Sequence, residues 1–409
     1  MNLLKTGPQR TTILVNGEGN YVYDSEGNGY LDLQSGYWCN VFGYGNPEYV
    51  EPMKNQFDKL TNVMSAFRTE EINEAINKLK QILPSKLDRI SFLNSGSEAV
   101  DLALKMARAA TGKKEFVVNE RGYYGASALP FALCSAGKDA SYLPDPGEVY
   151  RIPPPLCESC KHGTSDTCKE WRCLDLLQNL VEKKNKNIAA IIYEPVLGGG
   201  IYVPPIGYGK QLRNYADELG ALLISNEVTV SPAKTGKWFA FQHDDITPDI
   251  LTLGKAIGGG FPVSVTVTTE KVEEMCKNEL YHVQSHQNDA LSGKAVSTVL
   301  SIIKKNDYVQ QCKEKGEYFK NQLRKVQKEH KQISEVRGRG LILGVQLEKE
   351  HSENGVLMQW DMIEKGFLVE FHKSSNSFRF FPPFTIKKGE IDEFIISFKE
   401  TLQTRFILK

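Results

Sequence analysis

The reading of this chain turns on Ala221–Pro262, ALLISNEVTVSPAKTGKWFAFQHDDITPDILTLGKAIGGGFP. It holds two short apolar runs, Ala221–Ile224 and Ile250–Leu253, each leading to a polar residue at a predicted strand end. Asn226 follows the first run and Lys255 the second. Lysine is ordinarily a solvated surface charge, as most of the 50 Lys+Arg here must be. Lys255 instead sits in LGKAIGGG, among glycines and small apolar side chains. A lysine desolvated at a strand end has its pKa pushed down until the free amine is a nucleophile.

Working outward toward the N-terminus, RISFLNSGSEAVDLALKMARAATG predicts a strand over Ile90–Leu93, a tight turn at Ser95–Ser97 and a buried helix over Ser97–Ala110. A small-residue turn opening a helix offers free backbone N–H groups and the positive dipole end to a phosphate. A plain helix cap by Ser95 or Ser97 reads equally well there. Strand EFVVN, loop ERGYYGAS, strand AAIIYEP, loop VLGGGIYVPPIG and helix 208–219 follow. Short apolar strands alternating with helices or long crossovers predict an α/β fold with a mostly parallel, helix-covered central sheet. Ligands on such sheets lie at the carboxyl ends of the strands. Gly96 and Ser97, Tyr123 and Tyr124, Glu194, Asn226 and Lys255 all fall on that edge. Their convergence weighs more than any one motif.

Beyond this core, residues 1–35 read as short strands separated by NGEGN and SEGNG turns. Tyr37 and Trp38, in SGYWCNVFGYGNPEYV, are pocket candidates or plain core aromatics. Helices are expected over 69–83, 175–186, 293–304, 308–330 and 388–404, with VSVTVTT as a further strand. The chain divides into an N-terminal segment 1–45, a large domain 46–305 with an insertion at 150–175, and a smaller C-terminal domain 306–409. ISEVRGRGLILGVQL and SFRFFPP supply strands of that smaller domain. Arg379, in an apolar run before Pro382–Pro383, is suited to a bidentate carboxylate contact or to an internal salt bridge.

Composition narrows the function classes. The 41% hydrophobic and 24% charged residues fit a soluble globular protein. Lys+Arg and Asp+Glu are both 50, which gives no sign of a nucleic-acid or anionic-membrane partner. No run approaches the roughly 18 apolar residues of a membrane span, and a cytoplasmic enzyme is the expectation. Four of the eight cysteines cluster: Cys157, Cys160, Cys168 and Cys173, with His162 nearby. A surface insertion with free thiols is the plainer reading, and a metal site is the alternative.

The motifs NSGSEAVDLALKMAR, YEPVLGGG, ALLISNEV, KTGKWFAF, PDILTLGKAIGGGFP, VRGRGLILG and RFFPP stand in the order and rough spacing of a known family. From about residue 10 to the C-terminus the chain resembles the class III (ornithine/4-aminobutyrate type) aminotransferases of the pyridoxal-phosphate fold type I group. The resemblance implies pyridoxal 5'-phosphate as cofactor, a homodimer with shared active sites, and a smaller α+β domain built from both termini. It implies that Lys255 forms the internal Schiff base and that Gly96 and Ser97 bind the cofactor phosphate. Tyr123 then stacks on the pyridine ring, Val228 packs on its other face, and Glu194 lies beside it. Ser285 stands where the family has a threonine reaching the neighbouring subunit's cofactor, and Arg379 where an arginine grips a substrate carboxylate beside Trp38. Gly199 replaces the glutamate that shields this arginine in ornithine-type members.

The departures are equally specific. The family's Asp-Glu-Val reads Asn226-Glu227-Val228 here. The usual aspartate keeps the pyridine nitrogen protonated, which makes the ring an electron sink, whereas a neutral amide lacks that charge. One pKa unit is worth about 1.4 kcal/mol, so a loss of two or three would weigh on transamination. Tyr124 replaces a frequent histidine, Thr229 a glutamine and Ala290 a proline, and SPAKTG departs from the usual arginine-bearing form. Amino-group transfer between an amino donor and a carbonyl acceptor is the expected reaction. Racemisation, elimination or decarboxylation on the same scaffold is the alternative that Asn226 favours. A non-catalytic scaffold is the third reading, and retention of Lys255 opposes it.

Overall fold

The computed structural model describes residues 10–156, 170–276 and 279–407, together with Leu4, Thr6, Cys160 and Cys168. Three short strands come first: β1 (Leu14–Glu18), β2 (Tyr21–Asp24) and β3 (Gly29–Asp32). The central sheet uses β4 (Arg89–Leu93), β5 (Glu115–Asn119), β6 (Val149–Ile152), β7 (Ile188–Tyr193), β8 (Leu222–Asn226), β9 (Ile250–Leu253) and β10 (Ser264–Thr268). Their spatial order is β4-β10-β9-β8-β7-β5-β6. Every pairing from β9 across to β6 is parallel, and only β10 runs antiparallel to its neighbours. All residues of β7, β8, β9 and β10 are buried, which explains why apolar side chains predominate in β7 to β9. The expected α/β architecture is present. The segment assigned as an insertion opens with β6, an edge strand of this sheet.

Most helices lie where the periodicity places them, and the differences have local causes. The helix expected over 69–83 spans Glu70–Lys80, capped by Thr69 and stopped short of Pro84. That expected over 175–186 ends at Glu182, because Lys184 turns left-handed with φ 52°. The helix expected to open at residue 293 starts at Ala290, since the Asp289 carboxylate accepts the Ser292 N–H at 2.7 Å. Helix Ser352–Glu364 escaped the sequence reading. Gly355 within it resembles a breaker, yet a Cβ there would meet the Phe371 ring at 2.2 Å, so the glycine permits close packing.

The C-terminal strands are β11 (Ile333–Arg339), β12 (Ile342–Leu347), β13 (Phe367–Leu368), β14 (Glu370–His372) and β15 (Ser377–Phe380). They form one sheet in the order β11-β12-β15-β14, while β13 pairs in parallel with β3. The two ends of the chain thus build one region. Phe319, Phe378, Phe380, Phe394 and Phe398 fill its core with stacked and edge-on rings. Among the described residues no helix is long and apolar enough to cross a membrane.

Candidate active site

A cavity of about 920 Å³ opens at the carboxyl edge of the central sheet, roomy enough for a cofactor and a small substrate. The ends of β5, β7, β8 and β9 deliver Tyr123, Glu194, Asn226 and Lys255 to it, and the start of helix Gly96–Thr111 adds Gly96 and Ser97. Val228 also lines it, and β15 with the N-terminal loop contributes Arg379 and Trp38. Ser285 is exposed, does not line this cavity, and accepts Asn62 Nδ2–H at its carbonyl at 3.1 Å.

Lys255 opens a single 3₁₀ turn just beyond β9 and holds φ 46°, a left-handed conformation of a kind found at functional sites. Its Nζ donates to Thr229 Oγ1 at 3.3 Å and sits 3.9 Å from the centre of the Trp38 ring. Burial lowers its pKa to about 7, against the pull of Cys39, Glu194 and Glu370 and with help from Arg379. The amine therefore reaches the free-base form near neutrality. Glu194 follows β7 and is almost completely buried. It accepts the Tyr123 N–H at 2.7 Å and the Gly198 N–H at 3.0 Å. Burial nevertheless raises its carboxyl to about 7, with those N–H groups and Lys255 opposing the rise.

The helix cap falls to Ser95 and leaves Ser97 to a different contact. Ser95 caps the helix, accepting Glu98 N–H at 3.3 Å while the Glu98 carboxylate takes the Ser95 N–H at 2.8 Å. Ser97 instead accepts Ala126 N–H at 2.9 Å. Gly96 and Gly254 leave a slot that Val228 fills. A Cβ on Gly96 would stand 2.5 Å from Val228 Cγ1, and one on Gly254 2.9 Å from the same atom. Tyr123 is half exposed and faces the cavity, whereas Tyr124 is buried, its hydroxyl accepting the Asn119 N–H at 2.8 Å.

Arg379 is buried and its charge is already matched. Its Nη2 lies 2.6 Å from Glu370 Oε2, and Nη1 donates to the Gly198 carbonyl at 3.0 Å. Its Nε is left without a partner among the described residues. Trp38 lies under the guanidinium at 4.9 Å and stacks on Phe381 with centroids 3.9 Å apart. Of the two sequence readings of Arg379, the internal salt bridge is the one formed, and the residue also lines the cavity. Gly199 lines the cavity as well, and the arginine's counter-charge comes from β14.

Glu370, Thr229 and Thr252 are the site residues whose contacts the sequence reading did not anticipate. Glu370 and Arg379 face each other in the β14–β15 register, so a cross-strand charge pair around KSSN was the available signal. Of the cysteine cluster, Cys160 is exposed and Cys168 and Cys173 are partly buried, while Cys157 and His162 lie outside the described residues. Among the described residues no group of three or more His, Cys, Asp or Glu is placed to hold a metal ion.

One edge of a mostly parallel α/β sheet thus carries a desolvated lysine, a buried carboxyl group and a helix N-terminus. The chain belongs to the class-III aminotransferases, whose family model matches residues 5–402. It is 32% identical to the LysW-aminoadipate semialdehyde/glutamate semialdehyde transaminase of Sulfolobus acidocaldarius over 395 residues, 96% of this chain and 95% of that one. It is 34% identical to the acetylornithine aminotransferase of Methanopyrus kandleri over 336 residues, 82% and 80% of the two chains. An aminotransferase from Bacillus anthracis superposes with a TM-score of 0.91 at 27% identity, covering 99% of this chain and 96% of the other. The cofactor of the family is pyridoxal phosphate and its reaction is amino-group transfer between small amino and keto substrates. The family model and the relatives above name aminotransferases, the expected reaction, while a leucine/methionine racemase of Thermococcus litoralis is 30% identical over 91% of this chain.

Proposed function

We propose that Lys255 holds the cofactor and moves the proton in this enzyme's amino transfer. The observation that carries the reading is its buried amine, lowered to about 7 at the cavity wall beside Thr229. Pyridoxal phosphate, when bound, carries the amino group and draws off the electrons freed at the substrate carbon. Lys255 Nζ, buried at the cavity wall, would be the group that takes up and gives back the proton of the transfer. Its low pKa lets the same amine act as base and then as acid. The backbone N–H groups of Gly96 and Ser97, at the positive end of a sixteen-residue helix, are suited to the phosphate. Tyr123 and Val228 would supply the two walls for a flat ring, with Asn226 toward its nitrogen and Glu194 at its border. The slot left by Gly96 and Gly254 supports this placement, because either Cβ would collide with Val228.

Arg379 and Trp38 form the substrate end. A substrate carboxylate reaching Arg379 finds Nε open and has to share Nη2 with Glu370. A homodimer with shared sites is part of the same proposal. Phe57, Leu60, Met64, Phe67, Tyr281 and Val283 are large apolar residues left exposed in the single chain, and the last two stand close in sequence to Ser285. Ser285 then serves the neighbouring subunit's phosphate, in keeping with its absence from the lining of its own chain's cavity.

Reconstitution with pyridoxal phosphate tests the reading. A visible absorption band lost in Lys255→Ala, with conversion to the pyridoxamine form on adding an amino donor, is expected. A wild-type protein that binds the cofactor yet converts with no amine in a broad panel sinks it.

A further inference from the structure

Asn226 differs from a carboxylate in that its two ends are not interchangeable, and the surrounding groups decide which end goes where. Its Oδ1 faces the backbone N–H of Val228 at 3.4 Å and the Thr252 hydroxyl at 3.2 Å. Its Nδ2 faces the carbonyl of Tyr123 at 3.1 Å. A backbone N–H only donates and a carbonyl only accepts, so turning the amide over would set donor against donor and acceptor against acceptor. Thr252 is fully buried and Asn226 nearly so, which leaves little room for water to compensate. One Nδ2 hydrogen is used by Tyr123. The other has no acceptor among the described residues, and Asn226 lines the cavity.

We propose that Asn226 offers this remaining N–H to the ring nitrogen of the cofactor, which is thereby held without a proton, and that Thr252 is the positioning residue that fixes the amide. The inference rests on the proposed placement of the ring beside Asn226. A nitrogen accepting from an N–H has its lone pair engaged. A protonated nitrogen would point its own hydrogen at that of the amide. The carboxylate usual in the family favours the opposite state through its charge. Thr252 acts only through Asn226: without its hydroxyl, Oδ1 keeps a single long contact and the amide is held less firmly toward the ring, while the Val228 N–H and the Tyr123 carbonyl still set which end is which.

The test is ¹⁵N NMR of the holoenzyme loaded with pyridoxal phosphate labelled at the ring nitrogen, with the free cofactor titrated from acid to base as the scale. Wild type should resonate at the unprotonated end and stay there between about pH 6 and 9. Asn226→Asp should move the signal to the protonated end. Thr252→Val should move it part of the way, and Thr252→Ser should restore the wild-type position. A wild-type signal at the protonated end overturns the inference while leaving the Lys255 reading intact. A Thr252→Val signal unmoved from wild type removes Thr252 from it. If the wild-type holoenzyme shows no Lys255-dependent absorption band, the cofactor placement itself fails and the inference falls with it.

Discussion

Burial raises Glu194 to about 7 and lowers Lys255 to about 7, so the two groups load the site in opposite senses across neutrality. Between about pH 4.5 and 7 the folded protein holds a proton on Glu194 that the unfolded chain has lost, so stability falls as pH rises. Between about 7 and 10.5 the unfolded chain holds a proton on Lys255 that the fold excludes, so stability rises again. The cofactor-free protein should therefore show its smallest Tm, relative to a Glu194→Gln/Lys255→Met double variant, near pH 7. A difference flat from pH 5 to 10 would refute this. Glu370 makes a kinetic prediction at the same scale. Glu370→Gln frees Arg379, so KM for a 2-oxo acid should fall several-fold while kcat changes little. It should also cost about 3–5 kcal/mol of stability, because a buried guanidinium loses its counter-charge. An unchanged KM would separate Arg379 from carboxylate binding.

Among the elements, the start of helix Gly96–Thr111 carries the sharpest constraint. Gly96→Ala would drive a methyl group into Val228, so cofactor affinity should drop by tenfold or more, equivalent to about 1.4 kcal/mol. Val228→Ala, which removes the colliding methyl groups, should recover part of that loss in the Gly96→Ala background. Equilibrium titration with pyridoxal phosphate reads both, and absence of recovery would show that the glycine matters for another reason. Ser95→Ala should cost about 1 kcal/mol in thermal unfolding, because the capping box satisfies N–H groups that would otherwise be open. The capping motif was legible because SGSE places a serine three residues before a glutamate. The steric role of Gly96 was not, because its partner Val228 lies 132 residues away in sequence and meets it only through sheet order.

For the molecule as a whole, the exposed apolar set from Phe57 to Phe67 predicts association. Sedimentation should give a dimer, and Phe67→Glu should weaken it together with activity. A fully active monomer would defeat the shared-site proposal. The parallel sheet was readable because strands buried on both faces are mostly apolar, as β7 to β9 are apart from Ser225, Asn226 and Thr252. The pocket edge was readable because polar residues end those runs. β14 was hidden, because three residues with mixed charge carry no period, and with it went the partner of Arg379. The threonines that orient Lys255 and Asn226 look in sequence like ordinary strand and loop residues.

The N-terminal loop is stitched to the strand that carries Arg379. Gln34 Nε2 donates to the Arg379 carbonyl at 2.5 Å, Ser35 Oγ donates to the Phe381 carbonyl at 2.5 Å, and Trp38 lies on Phe381. These partners are 345 and 346 residues apart. On the ribosome, at about 5–20 residues per second, the loop must wait on the order of twenty seconds or more for them. Lys255, Glu194 and Asn226 are all made in that interval. A nascent chain can thus own the wall that receives the cofactor well before it owns the end that receives a substrate, and an enzyme interrupted late in synthesis would be able to bind the first without engaging the second.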